Sequence, residues 1–158
     1  MKKGSGLIVL LILLGTPIAC LSQNNESTLR QKHYNLGTSN IGIQGYDPIS
    51  YFLGKPQKGS KTYSYEYNKV TYYFSSTKNL ELFKSSGAKF EPAYGGWCAY
   101  AMGATGEKVE VDPETFKIVN GKLYLFYNSY FNNTLPKWNK DEKNLNKTAD
   151  LNWSKIYK

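Results

Sequence analysis

Phe116-Lys117-Ile118-Val119-Asn120-Gly121-Lys122-Leu123-Tyr124-Leu125-Phe126-Tyr127 is the stretch that decides the fold. Two runs of β-branched and aromatic residues flank Asn-Gly, and that dipeptide accepts the positive φ angles of a tight hairpin turn at little cost. The segment therefore predicts an antiparallel hairpin. Upstream, Tyr63-Ser64-Tyr65-Glu66-Tyr67 alternates and Val70 to Phe74 is again β-branched and aromatic, with Asn68-Lys69 between them as a second two-residue turn. Downstream, Leu145, Ala149, Trp153 and Ile156 recur at spacings of four, four and three, which puts them on one face of a C-terminal amphipathic helix.

Short helical signals lie between the hairpins. Asp47-Pro48 is a helix start, with a carboxylate to cap free amides and proline at the first helical position. Ser75-Ser76-Thr77 caps a second helix carrying Leu80 and Phe83, which Gly87 is expected to end. A third helix is expected over Trp97 to Met102, after the pair Gly95-Gly96. Helices and hairpins interleave without parallel crossover units, so the predicted class is α+β: a small single domain of antiparallel hairpins, short helices and a C-terminal amphipathic helix.

The first residues read as an export leader. Lys2 and Lys3 precede the apolar run Leu7 to Leu14, which is far shorter than the ~20 residues of a membrane span. Two processing routes stay open: cleavage before Gln23, giving a signal peptide over 1–22, or a lipoprotein leader over 1–19 with Cys20 lipidated. Either route predicts an exported protein of the periplasm or cell envelope, meeting a membrane only through a lipid anchor. Residues 23–44 are polar and read as a tether, and the domain is expected over 45–158.

Composition excludes several functions. The net charge is +8, but the lysines are dispersed and Arg30 is the only arginine, so no nucleic-acid partner is expected. Outside the leader Cys98 is the only cysteine and His33 the only histidine. Structural zinc wants about four such ligands, so no metal site and no cofactor are expected; a soft metal or haem iron would have to use Cys98. Cys98 has no base in sight, because His33 falls in the expected tether, and the chain is not expected to be an enzyme.

The candidate site is the segment Tyr94-Gly95-Gly96-Trp97-Cys98-Ala99-Tyr100. Tyr94, Trp97, Cys98 and Tyr100 are the candidate ligand-binding residues, with Asp47 and Tyr51 as neighbours from the first helical turn. Aromatic rings with polar tips suit a flat or sugar-like ligand, and they also fill small cores. The thiol reads either as a buried core group or as a reactive thiolate.

These landmarks together resemble the YHS domain family in its exported bacterial branch. The resemblance rests on Gly45-Tyr46-Asp47-Pro48-Ile49-Ser50-Tyr51-Phe52, Tyr72-Tyr73-Phe74-Ser75-Ser76, Phe90 to Ala101, Asp112-Pro113, Asn120 to Leu125 and the Trp-containing C-terminal helix. It covers the chain from Gly45 onward. The metal-associated members carry a cysteine after Asp-Pro and a cysteine pair after Tyr-Phe. Here those places hold Ile49-Ser50 and Ser75-Ser76, so the resemblance implies the fold and not the metal. The function expected from the residues is a non-catalytic module that binds a small ligand, a metal species or a protein partner. The alternatives are a thiol-based redox or sensor protein using Cys98, and a structural envelope lipoprotein.

Overall fold

Both expected turns run through positive φ, at Asn68 and Lys69 (48° and 67°) and at Asn120 and Gly121 (51° and 74°). Each closes an antiparallel hairpin: β1 (Ser60–Tyr67) with β2 (Val70–Phe74), and β3 (Asp112–Val119) with β4 (Lys122–Phe126). The computed structural model describes residues 18–158, with side chains from Asn25 onward. Residues 1–17, and with them most of the expected leader, lie outside the described residues, as does the side chain of Cys20.

The helices follow their caps. α2 (Pro48–Phe52) starts where Asp47 Oδ1 accepts the amide of Ile49 at 2.9 Å. α3 (Thr77–Phe90) starts where Ser76 accepts the amide of Asn79. Gly87 does not end it: the chain kinks at Ser86 (φ −153°) and resumes to Phe90, because Phe83 buries against the first hairpin and Phe90 buries against Phe83 and Phe52. α4 (Ala99–Ala104) begins two residues later than expected, leaving Trp97 and Cys98 in the approach to it. α6 (Glu142–Ile156) carries the expected apolar face, and its Ala149 is fully buried.

Three elements near the C-terminal end have no counterpart in the sequence reading. β5 (Asn128–Ser129) and β6 (Asn132–Asn133) make a third, minimal hairpin, and α5 (Leu135–Lys140) buries Trp138. With helices and antiparallel hairpins in one small domain, the class is α+β.

The expected tether over 23–44 is corrected. α1 (Ile18–His33) runs through it, and Arg30 and His33 are only 4% and 9% exposed. Arg30 forms a bidentate pair with Glu91 (Nη1 to Oε2, 2.9 Å; Nη2 to Oε1) and donates to the Tyr34 hydroxyl at 3.1 Å. The Trp97 indole donates to the carbonyl of His33 at 2.7 Å, and the Asn35 amide donates to the Gly95 carbonyl at 2.8 Å. A polar composition concealed this docking because its anchors are charged and aromatic groups whose partners lie far along the chain.

The core has two lobes. One packs β1, β2, α2 and α3 around Phe83, whose ring lies 5.0 Å from Tyr72 and 5.1 Å from Phe74. The other packs β4, α4, α5 and α6 around Met102, Phe126 and Trp138. Gly103 joins α4 to α6, since a Cβ there would stand 2.5 Å from the Leu145 carbonyl oxygen. Burial of each large side chain contributes about 1.5–3 kcal/mol, and with no disulfide among the described residues these lobes carry the stability.

Candidate functional site

Tyr94, Gly95 and Gly96 adopt positive φ in succession, at 55°, 61° and 87°. Left-handed backbone is natural for glycine but strained for tyrosine, and such strain gathers at functional sites. The reason for Gly95 is visible: a Cβ there would stand 2.7 Å from the Tyr34 ring and 2.9 Å from the Tyr34 Cα. The glycine pair therefore lets the end of α1 lie directly on the loop. Against that loop a cleft of about 430 Å3 opens, with Tyr34, Glu91, Tyr94, Asp150 and Trp153 in its walls and Lys89 and Lys122 at its edge.

Three aromatic rings converge there. Trp153 lies 6.2 Å from Tyr34 and 6.4 Å from Tyr94, and it stacks on Tyr157 at 5.2 Å. The Tyr94 hydroxyl donates to Asp150 Oδ1 at 3.0 Å and accepts from Asn146 at 3.3 Å. Burial and the adjacent Asp150 hold the Tyr94 phenol well above its ordinary pKa, so it stays a neutral donor. Burial, then the Glu91 charge, pushes Tyr34 up to about 12. Glu91 is already committed, accepting from Arg30 and, at 2.6 Å, from the Tyr72 hydroxyl. The polar groups that face a ligand are therefore Asp150 and the lysines, over a wall of rings. The chain matches no known protein family, no curated protein and no solved structure.

The six candidate residues do not come together. Tyr94 belongs to the cleft. Trp97 clasps α1 through the His33 carbonyl, with Lys108 5.8 Å from its ring. Asp47 is fully buried and accepts from the Ile49 amide, the Ser75 amide and hydroxyl and the Asn79 amide group at 2.7–2.9 Å, which leaves a ligand nothing to reach. Tyr51 is buried too, donating to the Pro113 carbonyl at 2.8 Å. Both are structural, for the same reason: their polar atoms are consumed inside the fold.

Cys98 and Tyr100 belong to a second, smaller cavity of about 250 Å3, shared with Tyr127, Thr134 and Lys137. Cys98 forms part of its floor while exposing none of its own surface. Its sulfur accepts the Tyr127 amide at 3.3 Å and lies 3.4 Å from the Thr134 hydroxyl, and its backbone pairs with Val109. His33 is held elsewhere: Lys108 donates to its Nδ1 at 3.2 Å, and burial with the Lys108 and Lys32 charges lowers its pKa below the ordinary 6.5. Among the described residues no cluster of three metal-ligating side chains occurs.

A thiol so enclosed reacts only when the fold opens. In a Cys20→Ser chain, which isolates Cys98, a chromogenic disulfide reagent is expected to label the native protein at least roughly a hundredfold more slowly than the urea-unfolded one. Equal rates in the two states would restore the sensor reading.

Sequence reasoning missed Tyr34, Glu91, Asp150 and Trp153 as cleft residues. The glycine pair beside an aromatic was the one legible signal, since it marks a place where another backbone approaches closely.

Proposed function

We propose that this chain is an exported, non-catalytic binding module with a YHS-like fold, holding a small sugar-like or flat polar ligand in the cleft beside Tyr94. The observation that carries this reading is the convergence of Tyr34, Tyr94 and Trp153 with Asp150 around a left-handed tyrosine. The cleft's volume lies within the range of small-molecule sites, about 300–1,000 Å3. Rings supply a flat apolar face for a pyranose or a planar heterocycle, and a carboxylate with flanking lysines fixes its hydroxyl or amide groups. Tyr94 stays neutral and commits its proton to Asp150, so it positions that carboxylate, which favours recognition over proton transfer.

Intrinsic fluorescence includes Trp153 together with Trp97 and Trp138, so a ligand-dependent change is checked by titration calorimetry. Titration with cellobiose, N,N′-diacetylchitobiose and nicotinamide is expected to give a saturable change with at least one probe at a Kd of about 1 mM or tighter. Asp150→Asn, and Trp153→Ala read by calorimetry because it removes the reporter, should weaken binding at least about tenfold. The absence of a saturable change with every probe, in protein shown to be folded, would reject the small-ligand reading.

A further inference from the structure

Tyr130 and Phe131 form the two-residue turn between β5 and β6 and are 97% and 106% exposed, so neither ring is covered by the rest of the fold. Tyr130 has a φ of 52°, a conformation that glycine ordinarily supplies at a hairpin tip. Local stability would favour glycine or asparagine at this turn. The chain instead has adjacent large aromatic residues, one of them strained, at a place where they contribute no packing.

The tip is a stiff projection. At its base the Thr134 amide and hydroxyl both donate to the Tyr127 carbonyl, at 3.0 and 2.9 Å. Asn128 donates to the Thr115 hydroxyl at 3.0 Å, and the Leu135 amide donates to Asn133 Oδ1 at 2.9 Å. The cation at the hairpin is Lys137; residues 127–140 also hold Lys140 and no carboxylate, while Lys117 is paired with Glu142 at 2.8 Å and adds no free charge. Lys137 Nζ donates to Asn132 Oδ1 at 2.7 Å, directly at the hairpin. Glu107 lines the same small cavity as Lys137. Asp112, near the hairpin base, is occupied by Thr115 and the Glu114 amide.

The geometry points to an anionic lipid bilayer as the occupant of this tip, with Phe131 entering the acyl boundary, Tyr130 at headgroup level and Lys137 against lipid phosphates. A convex tip of two residues offers at most about 500 Å2, against the roughly 1,200 Å2 that a stable protein interface buries. Protein hot spots also sit in pockets, which a projecting turn lacks. Aromatic rings backed by lysine match the polar–apolar boundary of a charged membrane, where tyrosine is enriched. The contact proposed is a peripheral one; among the described residues no helix is long and apolar enough to cross a membrane. It shares no lining residue with the cleft beside Tyr94 and stands independently of the ligand read there.

The test places a reporter at the tip itself, because Leu7 to Leu14 of the full chain can partition into lipid by their own hydrophobicity. In full-length Phe131→Trp protein, vesicles of phosphatidylcholine with roughly a third phosphatidylglycerol are expected to shift the added emission to the blue. Brominated acyl chains should quench it, and high salt should weaken both effects. In the wild-type background, Tyr130→Ser with Phe131→Ser should lower binding to these vesicles at least about fivefold, with an unchanged melting temperature because neither ring is packed. Absence of both shift and quenching overturns the proposal. So does a concentration-dependent dimer that Phe131→Ser disperses while vesicles leave the reporter unchanged, which would assign the tip to a second copy of the chain.

Discussion

Asp47→Ala is expected to cost about 4 kcal/mol or more, a large share of the 5–15 kcal/mol that separates folded from unfolded domains. The carboxylate is fully buried. Oδ1 accepts the Ile49 amide at 2.9 Å, while Oδ2 accepts the Ser75 amide at 2.8 Å, the Ser75 hydroxyl at 2.7 Å and Asn79 Nδ2 at 2.7 Å. Truncation leaves these donors without an acceptor in a site closed to water, and each buried unsatisfied group costs about 1–3 kcal/mol. Ser75 and Asn79 still bond to each other at 3.2 Å, which recovers part of the loss. Asp47→Asn keeps the shape and the Oδ1 acceptor but turns an NH2 toward donors, so an intermediate loss of about 2–3 kcal/mol is expected. Urea unfolding followed by circular dichroism measures both. A loss near 1 kcal/mol for Asp47→Ala would mean that the residue is only a helix cap, and that the join between α2, β2 and α3 does not depend on it.

Asp47 also shows how far the chain could be read without coordinates. Asp-Pro predicts a cap because capping is local: donor and acceptor stand two residues apart. Asn68-Lys69 and Asn120-Gly121 predict hairpins for the same reason, since turn conformation is decided by the residues in the turn. The links from Asp47 to Ser75 and Asn79 span 28 and 32 residues and have no sequence signal. β5, β6 and α5 escaped because Asn128 to Lys140 lacks apolar periodicity; that segment is held by side-chain bonds from asparagine and threonine. The candidate site failed in the same manner. Tyr94 to Tyr100 looks like one site because its residues are neighbours in sequence. The left-handed turn and the short α4 then send Tyr94 toward α6, Trp97 toward α1 and Cys98 toward β4. Proximity along the chain was mistaken for proximity in space.

The docking of α1 yields the second large effect. Glu91→Ala is expected to cost about 3–5 kcal/mol, because it strands the Arg30 guanidinium, 4% exposed, without a counter-ion. It also removes the acceptor of the Tyr72 hydroxyl, whose residue is 1% exposed. For a domain of this size the melting temperature should fall by roughly 10–15 °C. Arg30→Ala should cost a similar amount, leaving Glu91 with Tyr72 as its side-chain donor. The replacement Arg30→Met, Glu91→Leu, Tyr72→Phe removes both charges and the Tyr72 hydroxyl together, and it is expected to be milder than either single change because no buried charge is left unpaired; the Tyr34 hydroxyl loses its Arg30 donor but borders the cleft. This non-additivity separates a buried network from three independent contacts. It also tests α1 itself: if residues 23–44 were an undocked tether, Arg30→Ala would leave the melting temperature within about 1 °C, since an exposed side chain there contributes nothing measurable. Arg30 holds Glu91 in the cleft wall and donates to Tyr34, a second wall residue, so the same substitution should weaken any probe that binds there. Loss of binding without loss of stability would contradict that coupling, because the network that shapes the wall is the one that docks the helix.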